Sequence, residues 1–184
     1  MTLSNDQCET GALHLNYHLK MMGELFAWTV LLDQTGPPVL KNASLEGTLI
    51  HMRLLIEFVA GRRKSPSDPQ RRWSNKDIQP KDFVADWPGL PDGCLDGYLS
   101  LADEYVAHLS LARAQTIAAR GWVLERMVEA VLVEFDHFTT ALEQSGSPAA
   151  VILRSGLVEA RELKTRQPRR LPSADISRTS TPLP

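Results

Sequence analysis

Two short stretches of this chain set histidine and arginine among hydrophobic residues. The first is Leu45-Glu-Gly-Thr-Leu-Ile-His-Met-Arg-Leu-Leu-Ile-Glu-Phe58, which holds His51 and Arg53; the second is His108-Leu-Ser-Leu-Ala-Arg113. Arginine grips a phosphate through two parallel N–H donors. Histidine titrates near neutral pH and can pass a proton in either direction. Two such pairs on adjacent helices, His51 with Arg53 and His108 with Arg113, would line a groove suited to acid–base chemistry on a phosphate. A structural reading competes with this one. Arg53 stands one helical turn before Glu57, the spacing of an i,i+4 ion pair, and a histidine at the edge of a core needs only a hydrogen bond. The two readings separate on geometry. Convergence on a solvent-open cleft favours chemistry; pairing with Glu46, Glu57 or Asp103 inside a closed core favours structure.

A third pair, His14 and His18, lies four residues apart on one helical pattern and could share a metal ion. Further ligands are only loosely offered, by Asp136 and His137, and there is no His-Glu-x-x-His motif. A half-exposed helix face accounts for the pair equally well, so neither a metal nor another cofactor is expected. The chain also lacks a glycine-rich phosphate loop, a nucleophile elbow and a dinucleotide fingerprint.

Charge is uneven along the 184 residues. The net formal charge is -2, yet residues 62–81 carry seven basic side chains against two acidic ones. From Arg161 to the end there are six basic against two acidic, which leaves -11 on the rest. Within the first basic segment, Arg62, Arg63, Arg71 and Arg72 could neutralise phosphates, and Trp73 offers a ring for a base to stack on. These five residues are the candidate nucleic-acid contacts. The two cysteines, Cys8 and Cys94, make no disulfide framework and fit a reducing compartment. The N-terminal residues show no signal-peptide pattern and no apolar run reaches membrane-span length, so a cytoplasmic protein is expected.

The elements that must position these residues are helical. Leu15, Leu19, Met22, Phe26 and Val30 mark one stripe of a first helix from Gly11 to about Asp33, ended by Gly36-Pro37-Pro38. The segment from Ser44 to Gly61 is apolar nearly all round, the pattern of a helix inside a core. It follows a short turn and should pack antiparallel to the first. A polar basic loop spans 62–81, and Lys-Asp-Phe-Val-Ala-Asp-Trp (81–87) then offers Phe83, Val84 and Trp87 as anchors for a short helical turn. A third helix is expected over about Leu95–Ala119 and a fourth from Trp122 to about Gln144. No segment alternates as a strand does. The organisation expected is a flexible N-terminus over 1–9, a bundle over 10–146, a weak helix over 147–164 and a disordered basic tail over 165–184.

Residues 45–58, 81–87 and 108–113, in this order, resemble a family of bacterial all-helical proteins of uncharacterised function. Their layout is in turn similar to HEPN domains, helical bundles often found as RNases in toxin–antitoxin and phage-defence systems. The resemblance covers about residues 12–145. It implies an all-α, four-helix up-and-down bundle with a long basic loop between helices 2 and 3, a homodimer, and RNA as the ligand. HEPN nucleases carry an arginine followed shortly by a histidine, whereas here His108 precedes Arg113.

Two functions follow. One is a bundle that binds RNA or a nucleotide and cleaves RNA without metal, with His51 or His108 as acid/base and Arg53 and Arg113 on the phosphate. The other is a non-catalytic interaction protein, an antitoxin-like or adaptor bundle with a cognate protein partner, whose His/Arg pairs are structural.

Overall fold

The computed structural model describes residues 3–61, 78–91, 94–107 and 124–166, and every regular element among them is a helix. The helices are α1 (Asn5–Thr35), α2 (Pro38–Val59), the single turn α3 (Pro80–Phe83), α4 (Asp96–Ala107), α5 (Leu124–Gln144) and α6 (Ala149–Thr165). None is long and apolar enough to cross a membrane.

Helix α1 begins at Asn5, ahead of the expected Gly11, because Ser4 and Gln7 form a capping box. Gln7 Oε1 accepts the Ser4 backbone N–H at 2.9 Å and Ser4 Oγ accepts that of Gln7 at 3.3 Å. Two backbone donors that would otherwise be orphaned are thereby satisfied, which carries the helix into a polar stretch. Helix α2 likewise starts early. Pro38 occupies its first position, where a missing N–H costs nothing. Ser44, where the apolar segment begins, is buried within the helix. Its far end conforms to expectation, with Gly61 in the left-handed conformation at φ 64°.

Helices α1 and α2 run antiparallel. His18 meets His51, and a Cβ built on Gly47 would lie 2.7 Å from Leu25 Cδ1, so contacts advance along one helix as they retreat along the other. On its other side α1 packs along α6, and α2 is covered by α4 and α5. Between them lies a single apolar core that includes Leu19, Met22, Leu49, Met52, Leu55, Ile56, Phe135, Phe138, Leu142, Leu153 and Leu157.

The 81–87 segment is anchored as its apolar residues suggested. Phe83 and Trp87 pack edge-on against Phe138, Phe83 also meets Phe58 edge-on, and Phe58 stacks on Phe135. Trp87 Nε1 donates to the Val59 carbonyl at 2.9 Å, satisfying an acceptor freed by the end of α2.

Helix α6 reads weakly in the sequence yet makes the tightest backbone approach described. A Cβ on Gly23 would fall 2.6 Å from the Ala160 carbonyl oxygen, and one on Gly156 would fall 2.3 Å from Asn16 Oδ1. Its buried face is Ala149, Ala150, Leu153, Gly156, Leu157 and Ala160, half of it alanine. Small side chains bring two helix axes together, and they also weaken the apolar stripe by which a helix is read. Ion pairs lace its polar side: Arg154 binds both oxygens of Glu143, at 2.8 and 2.9 Å, and also Asp136.

Candidate functional site

The two candidates on α2 point to different neighbours. Arg53 Nε donates to Glu57 Oε1 at 3.2 Å, one turn on, and lies 2.9 Å from Asp103 Oδ1 on α4. The Arg53 side chain keeps 25% of its exposure, while Glu57 and Asp103 keep 11% and 16%. Helix α4 therefore meets Arg53 with a carboxylate. One guanidinium faces two carboxylates at the edge of the core, an arrangement that ties α2 to α4.

His51 turns toward α1. Its Nδ1 is 2.7 Å from Nδ1 of His18, and the Tyr17 ring stands edge-on to both imidazoles, with centroids 5.3 Å from His18 and 5.7 Å from His51. A hydrogen bond between two ring nitrogens requires one donor and one acceptor, so at most one of the pair can be fully protonated without losing it. Burial, followed by the neighbouring His14, lowers the pKa of His18 below the usual histidine value. Burial, followed by the charge of His18, lowers that of His51. Both rings are half-buried and favour the neutral form.

One residue that sequence reasoning did not join to the site, His18, completes it. His18 was read with His14 as a metal pair, not as the partner of His51. Their spacing gave no hint, since 33 positions separate His18 from His51. Asp103, by contrast, stood among the carboxylates named as candidate partners. No group of three or more His, Cys, Asp or Glu stands converged on a metal site among the described residues.

The remaining candidates, His108, Arg113, Arg62, Arg63, Arg71, Arg72 and Trp73, lie outside the described residues. So do residues 62–77 of the basic loop and the chain beyond Arg166, whereas Pro80 and Lys81, at the loop's expected end, open α3. The structure brings His51 together with His18 and Arg53 together with Glu57 and Asp103.

Helix α2 is apolar nearly all round, but it is not buried all round. Leu55 is fully buried, whereas Ile50 and Leu54 remain 42% and 43% exposed. Helical geometry puts Ile50, Leu54 and His51 side by side along one edge of α2. It likewise puts Leu13, Tyr17, His14 and His18 side by side along α1. Leu13 and Tyr17 are exposed as well. The His18–His51 contact is thus flanked by exposed apolar residues on both helices.

Comparison with family models, with curated proteins and with solved structures gives no match.

Proposed function

We propose that the chain is a non-catalytic interaction protein whose His/Arg residues on α2 are structural. The observation that carries this reading is the pairing of Arg53 with Glu57 and Asp103. A guanidinium held by two carboxylates has little positive charge left for a phosphate, and α4 would present like charge to an incoming anion. His51 is engaged in the same way by His18. A HEPN-like arrangement of α1, α2, α4 and α5 belongs to the proposal as the frame of a binding platform.

The partner is a second copy of this chain, docked on Leu13, Tyr17, Ile50 and Leu54. Two cations near this face are engaged within the chain, Arg53 as described and Lys20 with Glu159. The strip itself, Leu13, Tyr17, Ile50 and Leu54, carries no charge to match a charged partner. Such a strip is complementary to itself, as a two-fold interface requires.

Sedimentation velocity of the tag-free full chain in EDTA tests the proposal. Wild type is expected to dimerise. Leu54→Lys is expected to shift it toward monomer with little change in Tm, since Leu54 is 43% exposed. A wild type that stays monomeric, or a dimer that Leu54→Lys leaves intact, overturns the assignment.

A further inference from the structure

His14, His18 and His51 lie beside the face assigned to self-association and carry an inference of their own. His18 and His51 already aim the same atom, Nδ1, at one point between two helices. Their 2.7 Å separation is that of a hydrogen bond. A tetrahedral ion at about 2.0–2.1 Å from each nitrogen would need them roughly 3.3 Å apart. A side-chain adjustment of roughly half an ångström opens that space. Both rings are half-buried and keep part of their surface toward solvent. His14 lies one helical turn before His18 on the same edge of α1 and is exposed, so its side chain is free to change rotamer.

We propose that these three imidazoles form a binding site for a borderline-soft divalent transition-metal ion of the Zn2+, Ni2+ or Cu2+ class. His18 and His51 supply the preformed pair, His14 joins as third ligand by rotation, and water completes the shell. The ligand set suits these ions because imidazole nitrogen is their preferred donor, while oxygen-seeking Mg2+ and Ca2+ find no carboxylate among the three. A bound ion would link α1 to α2 across their seam.

Titration calorimetry of the tag-free full chain with ZnCl2 at pH 7.5 tests this, after EDTA treatment and buffer exchange. One ion per chain is expected. His14→Gln, His18→Gln and His51→Gln are each expected to weaken binding by at least the about 10–100-fold that loss of an outer-shell partner costs. His137→Gln should bind as wild type, because His137 pairs with Glu134 on α5, away from the seam. Circular dichroism checks that each variant is folded, and exposed His14 gives a variant whose folding is not at stake. Replacing Zn2+ by Co2+ should give visible bands of tetrahedral nitrogen–oxygen coordination that vanish in His14→Gln. Absence of one-to-one binding, wild-type affinity in His14→Gln, or loss of binding only in His137→Gln would each overturn the site.

Discussion

His18 and His51 face each other Nδ1 to Nδ1 at 2.7 Å across the seam between α1 and α2, with Tyr17 edge-on to both rings. This contact makes the folded state sensitive to protons. Burial and the neighbouring imidazoles lower both pKa values in the folded protein. An unfolded histidine titrates near about 6.5, so between that value and the folded ones the unfolded chain binds more protons. The contribution of the pair is therefore fully present above about pH 6.5 and is lost as pH falls below it. In EDTA, Tm is expected to drop between pH 7 and pH 5.5, and His51→Gln should flatten that slope. A Tm that is level or rises on acidification would contradict the pairing.

The close approach of α1 and α6 sets a second expectation. Gly23→Ala should cost about 1–3 kcal/mol, because the added methyl meets the Ala160 carbonyl, which only backbone movement can relieve. Gly97→Ala is the matched control, since nothing lies within 4 Å of a Cβ there. It should be neutral or stabilising by up to about 1 kcal/mol. Urea unfolding of the two variants decides; equal effects would mean that α6 does not pack as described.

Adjacent leucines on α2 supply a third. Leu55 is fully buried and Leu54 is 43% exposed. Leu55→Ala should cost about 2–5 kcal/mol. Leu54→Ala should stay within about 1 kcal/mol, as for surface changes away from special features. Similar costs at both positions would place this helix in a different orientation.

Arg53 gives a fourth. Arg53→Gln removes the cation from Glu57 and Asp103 and should destabilise the fold by about 1–3 kcal/mol. A second change, Glu57→Gln, should recover part of that loss by removing one of the carboxylates left behind. Additive losses in a double-mutant cycle would show that the two side chains do not interact.

The all-helical class and the antiparallel start were legible because Leu15, Leu19 and Met22 recur at helical spacing and Gly36-Pro37-Pro38 interrupts it. The aromatic anchors at Phe83 and Trp87 were legible too, being large apolar residues isolated in a turn-rich stretch. The start of α1 was present in the sequence as Ser4-x-x-Gln7 but lay within polar residues that suggested a loose end. Helix α6 was faint because its buried face is largely Ala149, Ala150, Gly156 and Ala160, which pack closely but score weakly as apolar. The exposure of Ile50 and Leu54 was not legible at all. Composition shows how apolar a helix is, not how many neighbours the fold supplies to cover it. The His18–His51 contact was hidden for a related reason: it depends on the register between two helices, which periodicity within each one does not specify.

The claim that His51 and Arg53 serve structure is tested most directly by incubating single-stranded RNA with the tag-free full chain in EDTA and following cleavage over time. Wild type, His51→Gln and Arg53→Gln should all leave the RNA at the level of a no-protein control, while the Arg53 variant unfolds at lower urea. Cleavage by wild type that His51→Gln or Arg53→Gln abolishes at unchanged Tm would contradict the account.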